Sequence, residues 1–440
     1  MEQWKQYNIG EICDTISETY KGNASDVVLI NTSDVLEGKC LNHTFMELKD
    51  ICQYVSDRVA TTSLSTSNYI STENMLPNKG GVVIANGLPV GNAVAFAKDD
   101  VLVSNIRPYF KKIWQANKNG GCSADVLCFR KNENVDNKYF YYLLSQQSFF
   151  DHMMLGSKGC KMPRGDKKQI MNWSFDLPSL EEQKRIADIL SSLDSKIELN
   201  RRINDNLEQQ AQALFKSWFV DFEPFNGEKP SNWSYCKIKN LHHIIETGKR
   251  PKGGVAHIKQ GIPSIGAESI KGIGYYDYSK TKYISNEFAS SLKKGKIHDY
   301  DLLIYKDGGK PGYFIPNFSI MGEGFPFDTM YLNEHVFRLD LGSSGMNIFA
   351  YFYFQTDEII NMLESVGGKA AIPGINQQNI EDLEILSPDI DYVQRYGELV
   401  YPIFKSILQN CRENAKLEKI RDALLPRLMS GELKIYDLNC

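Results

Sequence analysis

The residues best suited to chemistry in this sequence are cations set among glycines and aromatic rings. Arg107, Lys111 and Lys112 are interleaved with Tyr109, Phe110 and Trp114. Lys158, Lys161, Arg164, Lys167 and Lys168 form a second run, opposed only by Asp166. A third run, Lys249, Arg250, Lys252 and Lys259, carries Gly248, Gly253 and Gly254 and no acid. Lys306, Lys310 and Lys369 add to it, and Tyr20 and Lys21 complete the candidates. Cations on glycine-bent loops approach phosphates closely, and arginine in addition matches the edge of guanine. Any one run is as readily an ordinary solvated loop. Their recurrence at related places in two halves of the chain is what points to nucleic acid. The formal net charge is −4, so such a surface is a local patch, not a property of the whole chain.

Motifs for catalysis are missing. The sequence has neither Asn-Pro-Pro-Tyr nor Asp-Pro-Pro-Tyr, the loop that holds a flipped adenine for methylation, and no GxxxxGK[ST] phosphate loop. Gly308-Gly309-Lys310-Pro311-Gly312 has the glycines without the spacing and reads as a tight turn. Glu47-Leu48-Lys49 and Glu432-Leu433-Lys434 resemble half of a nuclease carboxylate–lysine motif, a triplet common by chance. Nine cysteines without a CxxC pair, and seven histidines without metal spacing, point to reduced thiols and no metal site. The polar start and short apolar runs predict a soluble, cytoplasmic protein with no membrane contact. The expectation is a chain without catalytic residues.

These loops need a scaffold, and the scaffold is duplicated. With 440 residues and 42% hydrophobic content, two to four folded units are expected. Shifted by 210 residues, Met162-Pro163 falls on Ile372-Pro373, Ile170 on Ile380, Pro178 on Pro388 and Val126 on Val336. Near the two starts the offset is 229, with Trp4 on Trp233, so the copies differ by loop insertions. Each copy reads as an α/β domain followed by a long helix. Short apolar runs bounded by turn residues predict strands at Val27–Ile30, Gly81–Ile84, Val101–Val103, Val126–Phe129, Leu302–Tyr305 and Val336–Leu339. Helices are predicted at Lys138–Met154 and Met346–Leu363, and a linker at Glu223–Asn232. The boundaries drawn are 1–178 and 223–388 for the domains, the latter including the linker, and 179–222 and 389–440 for the helical parts.

The helical parts carry the clearest pattern. Ile186, Leu190, Leu193, Ile197, Asn200, Asn204, Leu207, Ala211, Leu214 and Trp218 alternate four- and three-residue steps. Adding 210 gives Tyr396, Val400, Ile403, Ile407, Asn410, Asn414, Leu417, Arg421, Leu424 and Leu428. A stripe this long needs a partner, and the other copy is the obvious one. Antiparallel packing would set Asn200 near Asn414 and Asn204 near Asn410, where buried asparagines fix register. Ile203, beside Asn204, leaves open a rotated seam with the asparagines in solvent. Arg421, where the other copy has Ala211, breaks the pattern. Ile186 to Trp218 spans about 48 Å as a helix, or on the order of 14 base pairs of DNA.

Leu177-Pro178-Ser179-Leu180-Glu181-Glu182-Gln183-Lys184-Arg185-Ile186-Ala187-Asp188-Ile189-Leu190 resembles the first conserved region of Type I restriction–modification specificity subunits. Leu193-Asp194-Ser195-Lys196-Ile197 does so too, and Leu424-Leu425-Pro426-Arg427-Leu428-Met429-Ser430-Gly431-Glu432-Leu433 resembles the family's closing signature. The second copy departs from the first: Gln183 becomes Val393, and Asp194-Ser195-Lys196 becomes Phe404-Lys405-Ser406. The resemblance implies two α/β target-recognition domains in pseudo-twofold arrangement, separated by two long antiparallel coiled-coil spacer helices. It implies a reader of a bipartite, asymmetric site in double-stranded DNA. It implies two adenine methyltransferase subunits and ATP-dependent restriction/translocation subunits as partners. S-adenosylmethionine, ATP and magnesium would belong to those partners, with no cofactor on this chain. Phe215, Trp218 and Phe219 are candidates for a methyltransferase contact, or equally for packing onto a recognition domain. A coiled-coil adaptor that reads no DNA, and a single-chain restriction–methylation enzyme, are the rival readings.

Overall fold

The structure is a computed structural model, and it describes residues 35–36, 44–157, 161–308, 312–368 and 373–435. Two compact units result: Met1–Lys196 with Leu417–Cys440, and Ile197–Lys416. Val27–Ile30 lies outside the described residues.

In the first unit a four-stranded antiparallel sheet runs in the order Cys52–Tyr54, Val126–Lys131, Val101–Ser104, Ile113–Gln115. The alternation of side chains along a strand sends them to two different cores. Val101, Val103, Leu127 and Phe129 join Tyr139, Phe140 and Phe149 on the helical side. Leu102, Val126 and Cys128 face Ile70, Met75 and Phe96 of a second sheet. Burial on both faces explains why these strands read as unbroken apolar runs. The second unit repeats the order with Ile244–Thr247, Val336–Asp340, Leu302–Tyr305 and Phe318–Ile320. Even the phase is kept: Leu302, Ile304 and Phe337 face the helices, while Leu303 and Val336 face away. The α/β reading is refined in one respect. Pairing is antiparallel throughout except at Tyr69–Ile70 with Gly121–Cys122 and at Ser264–Ile265 with Tyr331–Leu332, among the described residues.

Two local expectations are corrected. Each long domain helix is two short ones, Asn137–Leu144 with Gln147–Leu155, and Ser344–Tyr353 with Asp357–Gly367. Gln146 and Thr356 take extended backbone between them. That break turns Phe149, Phe150 and Met153 onto the core already lined by Tyr139 and Phe140. Gly81–Ile84 is no strand: Val82 alone bridges Met75, and Ile84 is 69% exposed. Glu47 pairs with Lys49 and completes a capping box with Asp50, a structural use of a triplet that resembles a nuclease half-motif.

The two long helices are Leu180–Phe219 and Ile390–Met429. Ser179 and Glu182 form a reciprocal cap at the start of the first. The second ends before Gly431, whose φ of 71° suits glycine. In the second unit residues 197–219 and 390–416 pack antiparallel. Asn200 Nδ2 donates to Asn414 Oδ1 at 2.9 Å and to Glu413 Oε2 at 2.7 Å. Asn410 Nδ2 donates to Asn204 Oδ1 at 2.8 Å, and Asn204 Nδ2 reaches the Ile407 carbonyl. Asn200 is 1% exposed, so the seam has the register expected, not the rotated alternative. Ile197, Val400 and Ile407 are buried along it, while Ile403 and Leu207 are half-buried. In the first unit Ile186, Leu190, Leu193 and Leu428 are buried and Leu424 is half-buried.

The departures between the copies have internal partners. Gln183 is buried; its Oε1 accepts from the Asp136 amide and its Nε2 donates to the Pro178 carbonyl. At the corresponding place Val393 simply fills the core. Arg421, the break in the stripe, donates to Asp194 Oδ1 at 2.6 Å, and Asp194 also accepts from the Tyr142 hydroxyl. Shifted by 210, this ion pair corresponds to Phe404 and Ala211, both in one apolar core. One unit thus has an ion pair at these positions where the other has two apolar core residues.

Phe215 and Phe219 are 4% and 3% exposed, and Trp218 packs beside them on Tyr392 and Tyr396. Phe215 and Phe219 stack on Phe349, Trp233 and Tyr396 within the second unit and so build its core, with Trp218 half-buried at its edge. The sequence stripe also missed Phe404 and Leu408, a second apolar row that binds the helix to its domain.

Two predictions follow from the helix pair. Asn414→Ala, which strips Asn200 of its seam acceptor, is expected to cost about 1–2 kcal/mol. The double variant Asn200→Leu/Asn414→Leu should recover that loss, read as the chemical-denaturation midpoint. Arg421→Ala, which leaves Asp194 without its cation, should cost on the order of 2 kcal/mol. Asp194→Phe/Arg421→Ala, which installs the other unit's pair, should restore the midpoint measured by thermal unfolding.

Candidate nucleic-acid interface

Each unit has the same corner in its fold, where three segments meet, with cations on or beside it. In the first unit the chain leaves the strand Val101–Ser104, turns through Pro108–Phe110 and returns at Ile113–Gln115. Ile106 bridges Arg164, and the Arg107 amide donates to the Pro163 carbonyl at 2.8 Å. The Asn105 amide donates to the Asp125 carbonyl at 2.9 Å, which brings in the third segment. This brings Arg107, Lys111, Lys161 and Arg164 into two adjoining stretches of chain. Lys161 and Arg164 are exposed, and Arg164 pairs with Asp125 at 3.2 Å. Tyr109 is 48% exposed and Phe110 37%, with ring centroids 4.7 Å apart. Exposed aromatic rings beside cations are suited to bases and sugars as well as phosphates.

The loop is held in an expensive conformation. Arg107 and Lys111 have φ of 51° and 50°, and the neighbouring Asn78 and Lys79 have 55° and 62°. A left-handed residue with a side chain costs roughly 1–2 kcal/mol. Main-chain bonds hold it: Phe110 N to Arg107 O at 3.0 Å, Lys111 N to Pro108 O at 2.8 Å, Asn78 N to Phe110 O at 2.8 Å and Lys79 N to Lys111 O at 3.0 Å. The sequence reading missed this second loop, although Pro77-Asn78-Lys79-Gly80-Gly81 is turn chemistry.

The second unit repeats the frame. Asp307 bridges Gly374, and the Gly308 amide donates to the Pro373 carbonyl at 3.0 Å. Lys249, Arg250 and Lys252 rise exposed from the strand Ile244–Thr247. Gly248 is obligatory there, since a Cβ would lie 1.8 Å from the Leu332 carbonyl oxygen. Gly253 and Gly254, with φ of 86° and 78°, make the tight turn behind Lys252. Arg250 pairs with Glu334 at 2.9 Å, and His335 lies between Asp307 and Glu334. Acids are therefore interspersed with cations in this corner, as Asp125 is with Arg164 in the first unit.

Not every candidate cation is free to meet a ligand. Lys112 donates to the Thr72 carbonyl at 2.6 Å, and burial pushes its ammonium below the usual lysine value. Lys306 donates to the Glu334 carbonyl and lies over the Phe337 ring. Both tie the framework together, a role that a count of charges does not reveal. Tyr20, Lys21, Lys158, Lys310 and Lys369 lie outside the described residues.

Among the described residues no group of three or more His, Cys, Asp or Glu is arranged to hold a metal ion. Cys52, Cys122, Cys128, Cys236 and Cys411 are unbridged, and burial pushes the Cys122 and Cys411 thiols up to about 12. No helix among the described residues is long and apolar enough to cross a membrane.

Comparison with known proteins adds a name to this architecture. Residues 41–209 match the family model of the Type I restriction modification DNA specificity domain. The chain is 25% identical to the Type I restriction enzyme HindI specificity subunit of Haemophilus influenzae, over 98% of this chain and all of that protein. It is 27% identical to the MjaIX specificity subunit of Methanocaldococcus jannaschii, over 70% of this chain and 71% of that protein. The fold matches the crystal structure of a Type I S subunit from M. genitalium with a TM-score of 0.56 at 15% identity, covering 91% of this chain and 98% of that one. With two copies of one α/β domain, each followed by a forty-residue helix, the chain is similar in sequence to Type I restriction–modification specificity subunits and shares the fold of one of them.

Proposed function

We propose that this chain is a specificity subunit that reads a bipartite, asymmetric site in double-stranded DNA, one half by each α/β unit, and performs no catalysis itself. The observation that carries the reading is the repeated corner: the same three segments are locked by the same main-chain bonds in both units, with cations on these segments in the first unit and on the loop of Lys249, Arg250 and Lys252 beside them in the second. Different side chains on a shared frame suit two half-sites of different sequence. A chain of net charge −4 supplies no general attraction for DNA, so these patches must supply it.

The partners follow from the family. In this reading the outward faces of the long helices would receive two adenine methyltransferase subunits, to which ATP-dependent restriction and translocation subunits would be added. S-adenosylmethionine, ATP and magnesium act on those subunits in this reading.

Mapping methylated adenines across the genome of host cells with and without this gene tests the proposal. The expected result is loss of one motif made of two specified halves and an unspecified gap. Unchanged methylation, with an active methyltransferase partner present, would remove the DNA-reading role and leave an adaptor. A second measurement separates phosphate from base contacts. Lys252→Ala is expected to weaken binding about equally on all sequences and to lower the slope of log K against log salt by about one.

A further inference from the structure

We propose that Arg107 is a base-reading residue of the first unit, set to contact a guanine edge in its half-site; this rests on the DNA-reading role above. Arg107 and Gly308 occupy the same place: each follows the same central strand, each donates its amide to the carbonyl of the corresponding proline, and the residue before each makes the same bridge. Both backbones have positive φ, 51° at Arg107 and 138° at Gly308. Glycine takes such a conformation without strain, and the second unit uses it. The first unit instead places a large cationic side chain there, directly before Pro108, where the α regions are further disfavoured. Strain of this kind persists where the side chain has a use that glycine would lose.

The surroundings of Arg107 say what that use is. Arg164, Arg250 and Arg130 each have an acid partner, Asp125, Glu334 and Asp100 respectively. Arg107 has no ion pair among the described residues, and its Nε is shielded from solvent without an acceptor there. The side chain is half-buried, so it is held in one place instead of sweeping through solvent. The backbone on either side is fixed by the bonds to Pro163 and Phe110. A planar, unpaired, pre-positioned guanidinium is suited to bidentate recognition of guanine O6 and N7, which a mobile surface cation does not achieve. In the second unit the phenol of Tyr305 fills the space in question, lying 2.1 Å from where a Cβ on Gly308 would be. That unit must read its half-site from other residues.

The test uses the full complex with its methyltransferase subunits. Arg107→Gly is the informative variant, because it takes the residue present in the other unit and relieves the backbone; its thermal midpoint should equal or exceed that of the parent. Methylated adenines are mapped for the parent, Arg107→Gly and Arg107→Lys, and binding is measured on duplexes carrying single base-pair replacements in the mapped site. The expected result is a split motif for the parent. Arg107→Gly should lose discrimination, roughly ten- to a hundredfold, at one G·C pair in one half, with the other half read as before. Arg107→Lys should lose much of it too. Arg107→Gly with an unchanged motif would overturn the assignment while leaving the DNA-reading role intact. Uniform weakening on every duplex would also overturn it, since that marks a phosphate contact. Absence of any motif for the parent would instead defeat the reading on which the assignment rests.

Discussion

The hydrogen bond between Asn200 and Asn414, buried in an apolar seam, is the constraint from which the rest of the helix pair follows. Leucine and isoleucine accept several alignments along a long stripe at similar cost. An amide does not, because a slip of one turn would leave it unpaired away from water. Asn204 and Asn410 repeat the demand one turn away, so the antiparallel register is fixed twice within a short stretch. The remaining stripe supplies burial and the asparagines supply position.

Charge and packing then divide the work differently in the two units. Asp194 with Arg421, and Phe404 with Ala211, are two solutions to one packing position. The first adds a hydrogen bond from Tyr142 and so draws a domain helix into the junction. The second draws in Tyr351 and Phe352 by ring contacts. Gln183 and Val393 show the same exchange of a polar tie for an apolar one. The two copies are alike in path and unlike in chemistry, and Asp194 and Arg421 of the first unit are both replaced in the second.

Much of this was legible in the sequence. Apolar runs such as Val101–Val103 and Leu302–Tyr305 announced central strands because both faces of those sheets are covered. The asparagines announced the register because polar residues at seam positions have few places to go. What stayed hidden has physical causes. A helix that packs on two neighbours has a wide apolar face, so periodicity could not separate Ile407, facing the other helix, from Phe404 and Leu408, facing the domain. Phe215 and Phe219 looked equally fit for a partner or a core, since burial is a property of the fold and not of the residue. Lys112 and Lys306 counted as surface charge until their carbonyl acceptors were visible. The left-handed backbone at Arg107 leaves no mark in composition, because the usual sign of it is glycine.

The way the recognition corner is clamped has a consequence for how such a protein changes over generations. The bonds that hold the loop, from Arg107 to Pro163 and from Gly308 to Pro373, join backbone to backbone. Side chains at the tip contribute little to them. Substitutions there can therefore alter what is recognised at small expense to folding, and a lineage can explore new targets by point change while its architecture stays still. The part that must endure and the part that can vary are thereby kept separate.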